Sequence, residues 1–275
     1  MSAKDIRLSR LMNSESKKSV IIPIDHGLVM GNISGLENPF ETLKKLVELN
    51  IDGILLSPGV MKNSSEFFRG KNMPARILTV DYPMMSVIPG ESSDVIEYNL
   101  MSSVEFALKW DCEAVKVLFP WGLEKEIQMK IVKLTAELAQ KCDDWGMPLM
   151  VEPVLLGEKI PPEKKKDPSM IEHASRIALE IGADILKVPY LGEVKRFEVF
   201  IKHVKLPVFV LGGPKMESVR DMLKVAEDSI KAGATGLIFG RNIWQNPDME
   251  KLIEALKEIV HKNKSSKEII EKYSI

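Results

Sequence analysis

The chain is predicted to fold as an α/β protein, a single (β/α)8 (TIM) barrel spanning residues 1–275. Short β-branched runs alternate with longer amphipathic stretches, the pattern of a parallel sheet with crossover helices. Eight such units are counted along the sequence, the arithmetic of a closed barrel. The first strand-to-helix turn, Asp25-His26-Gly27, lacks a GxGxxG fingerprint, which ranks a doubly wound open sheet second.

Strands are expected at residues 19–25, 51–57, 76–81, 114–119, 149–152, 185–189, 208–211 and 236–239, each an apolar run short enough for a barrel stave. Between them, helical spacing of apolar residues predicts helices over 39–49, 94–109, 124–145, 168–181, 193–203, 216–232 and 249–261, while the crossover at 61–73 is the weakest. Residues 1–16 are expected to form a short helix covering the barrel floor, and 263–275 a polar helical tail. Loops 84–93 and 153–167, the latter with Lys164-Lys165-Lys166, are longer than packing requires. Above a barrel they serve as lids, as contacts to an anionic substrate or as plain solvated loops.

With 275 residues, 45% hydrophobic and 28% charged, the chain is long enough for one large buried core, and no low-complexity linker divides it. A formal net charge of −1 gives no argument for nucleic acid or an anionic membrane as partner. Cys112 and Cys142 form neither a CxxC nor a disulfide framework, which suits a reducing compartment. No signal-peptide stretch and no membrane-length run are present, so a cytoplasmic location is expected.

Lys187, in Asp184-Ile185-Leu186-Lys187-Val188-Pro189-Tyr190, places a cation in a run that should pass through the barrel interior. A lysine on the inward face tends to shed its proton and become an amine nucleophile, which points to Schiff-base chemistry; a side chain turned to water carries no such meaning. Lys116 in Val115-Lys116-Val117-Leu118 and Glu152 hold comparable positions on the fourth and fifth strands. If the charged faces point inward, the three converge on adjacent staves, either as an acid–base set or as a buried salt-bridge network without chemistry. Asp25 ends the first strand, where a carboxylate either handles a substrate hydroxyl or caps the next turn. His26 beside it is a weaker candidate.

Leu211-Gly212-Gly213-Pro214-Lys215 follows the seventh strand and Phe239-Gly240-Arg241-Asn242 the eighth, the two loops that bind phosphate in many barrels. Glycine lets oxyanions approach the backbone, and Arg241 adds a fork of donors. The four histidines are scattered without metal-ligand spacing, and neither GxxxxGK nor GxSxG occurs, so no metal is expected and hydrolase and nucleotidase readings fall behind.

These motifs resemble the class I aldolase superfamily of archaeal-type fructose-bisphosphate aldolases, aminodideoxyheptulosonate synthases, and tagatose-bisphosphate and sulfofructose-phosphate aldolases. The similarity runs from Ile22-Pro23-Ile24-Asp25-His26-Gly27 to Gly240-Arg241-Asn242-Ile243-Trp244-Gln245. The resemblance implies an imine on Lys187, proton transfer at Asp25, a phosphate held by the Gly213 and Gly240-Arg241 loops, no cofactor beyond the covalent imine, and a homo-oligomer. Archaeal-type members usually carry tyrosine where Glu152-Pro153 stands here; Lys116, Glu152 and Lys187 together look like the tagatose-bisphosphate and sulfofructose-phosphate branch. The expected activity is cleavage or formation of a C–C bond in a phosphorylated ketose, with aldehyde partners. A transaldol-type synthase and a non-catalytic sugar-phosphate-binding barrel are the alternatives.

Overall fold

A computed structural model describes residues 2–91 and 94–275. Its strands, in chain order, are β1 (Ser19–Pro23), β2 (Gly53–Leu56), β3 (Ala75–Thr79), β4 (Asp81–Met84), β5 (Glu97–Leu100), β6 (Ala114–Trp121), β7 (Leu149–Leu155), β8 (Ile185–Val188), β9 (Val208–Leu211) and β10 (Gly236–Ile238). Eight of them close a parallel barrel in the order β1-β2-β3-β6-β7-β8-β9-β10, with β10 returning to β1 through Ser19 opposite Gly236. The barrel prediction holds, and the open-sheet alternative is excluded by this closure.

The crossover helices bury one stripe each. Lys125–Trp145 turns Ile131, Thr135, Leu138, Ala139 and Cys142 toward the barrel and stops at Gly146, whose φ of 58° is the left-handed conformation glycine adopts most readily. The expected helix at 216–232 starts only at Val219, behind an Ser218 cap. Met216 is drawn elsewhere: its N–H donates to Asn242 Oδ1 at 2.7 Å.

Residues 94–109 depart from the expected helix. Glu97–Leu100 instead pairs antiparallel with Asp81–Met84, outside the barrel, and helix begins only at Val104 behind the Ser103 cap. The segment alternates about buried Tyr98, a period of two that a search at helical spacing overlooks. The weak crossover at 61–73 is a short helix, Pro58–Asn63, with a 3-10 turn at Ser65–Phe68. The last two residues of the expected loop 84–93 and the first of the expected floor segment 1–16 lie outside the described residues.

Within the barrel, inward side chains form layers. Ile21, Leu55, Ile77, Ala114, Met150, Ile185, Phe209 and Ile238 make an apolar cluster, and Leu11, fully buried, packs against it with Leu8 and Met12. Leu11 follows the helix Ala3–Arg10, which is tied to the barrel by Lys4 to Asp184 at 2.7 Å. The C-terminal helix Ser266–Tyr273 lies on helices Val219–Lys231 and Met249–Lys262, with Ile269 fully buried. No helix among the described residues is long and apolar enough to cross a membrane.

Candidate active site

Two residues beyond each member of the apolar layer, the same inward faces carry Pro23, Ser57, Thr79, Lys116, Glu152, Lys187, Leu211 and Gly240. The side-chain period of two therefore puts three charges one layer above a hydrocarbon plug. All nine residues singled out from the sequence, Asp25, His26, Lys116, Glu152, Lys187, Gly212, Gly213, Gly240 and Arg241, line one cavity of about 470 Å³ at this end of the barrel.

Lys116, Glu152 and Lys187 are almost fully buried. In the β6–β7 register Leu118 lies opposite Glu152, so the Lys116 side chain reaches Glu152 on a diagonal, Nζ to Oε2, at 2.8 Å. Lys187 Nζ meets the other oxygen, Oε1, at 3.0 Å. Burial pushes the Glu152 acid upward, but Lys116 and Lys187 outweigh it and hold the carboxyl down at about 2. Burial also opposes the Lys116 charge, yet Glu152, Asp81 and Asp25 together keep that ammonium above the usual lysine range. Lys116 thus stands as a fixed cation, and Glu152 as a carboxylate with both oxygens engaged.

Asp25 turns its carboxylate inward: Oδ2 accepts the Thr79 hydroxyl at 2.6 Å, so the side chain does not cap the following helix, Gly27–Met30. His26 Nδ1 stands 3.5 Å from Asp25 Oδ1, and its ring meets Trp244 edge to face at 5.2 Å between centroids. Burial lowers the imidazolium to about 4, leaving His26 neutral near pH 7. It packs against the site as an uncharged ring.

On the β9 and β10 side the two glycine loops are stapled together by Asn242. Its amide donates to Gly212 O at 3.0 Å and to Pro214 O at 3.2 Å, while its oxygen takes the Met216 N–H. Gly213 sits at φ 63°, and a Cβ on Gly240 would lie 2.9 Å from His26 Cε1, so both positions need glycine. Trp244 Nε1 donates to Pro23 O at 3.0 Å, locking the β10 loop to the end of β1. Arg241 is half-buried and makes no ion pair among the described residues, and its Nε is buried without a protein acceptor. The site thus offers backbone N–H groups beside an uncommitted guanidinium, a suitable seat for an oxyanion. In the lysine-bearing loop 153–167, Lys165 Nζ donates to the carbonyl of Leu156, a residue of the cavity wall.

Four contributors escape the sequence reading. Asn242 and Thr79 act through hydrogen bonds between distant segments, which sequence spacing does not encode. Asp81 was visible only as a strand end, although it follows the same logic as Asp25, a carboxylate where a stave reaches the mouth. Tyr98 fell in the misassigned helix. Among the described residues no three His, Cys, Asp or Glu side chains come together as a metal site.

The profile described as DeoC/LacD family aldolase matches residues 19–246. The fructose-bisphosphate aldolase class 1 of Thermoproteus tenax is 31% identical over 254 residues, 90% of this chain and 91% of that protein. The 2-amino-3,7-dideoxy-D-threo-hept-6-ulosonate synthase 1 of Archaeoglobus fulgidus is 30% identical over 276 residues, 98% of this chain and 96% of that one. An archaeal fructose-1,6-bisphosphate aldolase, solved with its catalytic lysine bound to the carbinolamine intermediate of the substrate, superposes with a TM-score of 0.78 at 28% identity, covering 94% of this chain and 99% of that one.

Proposed function

This chain belongs to the DeoC/LacD family of aldolases, and from that premise we propose that it makes or breaks a C–C bond in a phosphorylated ketose through an imine on Lys187. The observation that carries the reading is the Glu152 carboxylate, shared by Lys116 and Lys187 at 2.8 and 3.0 Å one layer above the apolar plug. The site residues take these roles by position. Transfer of a proton from Lys187 to Glu152 across their hydrogen bond leaves an amine and a carboxylic acid. The amine attacks the ketone carbonyl, a proton passes from the nitrogen to the new alkoxide to give the carbinolamine, and the Glu152 acid then protonates its hydroxyl, releasing water and leaving an iminium. The C–C electron pair moves into that iminium to give an enamine and an aldehyde, while the aldehyde-side hydroxyl loses its proton to a carboxylate of the site, with Asp25 the candidate. Lys116 keeps its charge and stabilises oxygen-centred negative charge as it develops.

The loops of Gly212-Gly213 and Gly240-Arg241 seat the substrate phosphate. No further cofactor enters this scheme, since the electron sink is the imine itself. We further propose a cytoplasmic location and a homo-oligomer, the latter tested by light scattering on the purified chain.

A transfer reaction, in which the enamine adds to a second carbonyl compound, is the second reading. It is favoured by the Archaeoglobus fulgidus synthase, which matches this chain at an identity close to that of the Thermoproteus tenax aldolase. Product analysis with one and with two carbonyl substrates separates the two.

The decisive experiment is cyanoborohydride reduction in the presence of ketose mono- and bisphosphates, read by intact mass and peptide mapping. A stable adduct on Lys187 that vanishes in Lys187→Met is expected. An adduct that persists in this variant removes Lys187 from the role, and ligand-induced thermal stabilisation without any adduct makes the protein a sugar-phosphate-binding barrel.

A further inference from the structure

Asp81 opens β4, immediately past the stave that carries Thr79, and is completely buried. It lines the same cavity as the lysines. Its Oδ2 accepts the N–H of Leu118 at 3.0 Å, two residues beyond Lys116 on β6. Its Oδ1 is buried without a hydrogen-bond donor among the described residues. The Tyr98 hydroxyl on β5 also bears on Asp81, while donating to Leu118 O at 2.9 Å. The charged groups bearing on Asp81 are Lys116 from β6, which favours its carboxylate, and Glu152 from β7, which opposes it.

A buried carboxyl with half of its acceptor capacity unused is costly unless it serves something. Lys116 lines the same cavity, and its charge favours the Asp81 carboxylate. Besides Glu152, Asp81 is the stronger of the two other carboxylates that hold the Lys116 charge, ahead of Asp25. We propose that Asp81 is a positioning residue of the aldolase site: its carboxylate shares the load of Lys116 with Glu152 and fixes the strand that carries Lys116 through Leu118. Glu152 is thereby left available to Lys187. When Asp81 takes up a proton, the Lys116 ammonium falls back on Glu152, and the exchange of protons between Glu152 and Lys187 slows. This rests on the imine reading above and adds to it the group that sets the acid side of the pH profile.

Burial raises Asp81 to about 6 against the pull of Lys116, whereas Glu152 sits near 2, so an acid limb near pH 6 belongs to the former. Asp81→Asn keeps an oxygen for the Leu118 N–H and removes the titration. We expect kcat at pH 8 to fall on the order of 10-fold, as when an outer partner of a reacting group is lost, with KM nearly unchanged, imine trapping retained and the limb near pH 6 absent. A purely structural role lowers thermal stability and leaves the limb in place, which overturns the proposal. If the variant does not fold, wild-type protein labelled with 13C at the aspartate carboxyls decides. One aspartate titrating in step with the kcat limb supports the proposal, and a limb that no aspartate follows defeats it. Trapping that fails in the wild-type protein sinks the imine reading and this proposal together; trapping that survives beside an unaltered profile in Asp81→Asn sinks this proposal alone.

Discussion

Glu152 reaches Lys187 across 3.0 Å while its second oxygen remains with Lys116 at 2.8 Å, so one buried anion serves two lysines. The two lysines are therefore not equivalent in what their loss leaves behind. Lys187→Met leaves a matched Lys116–Glu152 pair, whereas Glu152→Gln leaves both lysines without their shared anion. Leaving a buried charge without its counter-charge costs about 3–5 kcal/mol. Denaturant titration should find Glu152→Gln less stable than wild type by that order and Lys187→Met close to it, although neither variant turns over. Equal stability of the two variants would show that the set is not mutually compensating.

Asn242 touches no reacting atom and yet joins both halves of the oxyanion seat, through Gly212 O, Pro214 O and the Met216 N–H. In Asn242→Ala these three groups lose their buried partner, at about 1–3 kcal/mol for a group left unsatisfied. Asn242 bonds to the loops and to none of Lys116, Glu152 or Lys187, so the change should act on binding. We expect KM for a ketose phosphate to rise at least 10-fold, the equivalent of about 1.4 kcal/mol, with kcat at saturation within a few-fold of wild type and the imine still trapped at high substrate. A loss carried in kcat at unchanged KM would mean that the loops shape the chemistry rather than the phosphate seat.

What could be read from the sequence, and what could not, divides along physical lines. The staves were legible because a strand buried on both faces is a nearly continuous apolar run, and Lys116, Glu152 and Lys187 stood out as charges inside such runs. Their common face followed from the period of two, and the glycines after β9 and β10 stood out by their place in the loops behind the seventh and eighth staves. The β4–β5 ribbon was not legible: its four-residue strands lie beside a helix with a similar apolar content, and only the pairing of Asp81–Met84 with Glu97–Leu100 defines them. Tyr98 was lost with it, and Asp81 was visible only as the end of the third stave. Thr79 and Asn242 depend on partners 54 and 30 residues away, a relation that needs the closed barrel.

Asp81 and Glu152 should also shape stability against pH, with opposite signs. Asp81 is raised from 3.8 to about 6, so between these values the folded protein holds a proton that the unfolded chain releases, and stability is lost as pH rises through that window. The loss is complete above it and amounts to about 3 kcal/mol at 1.36 kcal/mol per unit. Glu152 is lowered from 4.5 to about 2, so its contribution is present above 4.5 and disappears as pH falls toward 2. Asp81→Asn, which cannot titrate, should therefore gain on wild type as pH rises, by up to about 3 kcal/mol at pH 8, with the advantage shrinking to nothing near pH 4. Denaturation midpoints collected from pH 4 to 8 test this directly. Curves for the two proteins that run parallel over the whole range would place the Asp81 carboxyl in the ordinary range and remove it as the source of an acid limb in the rate.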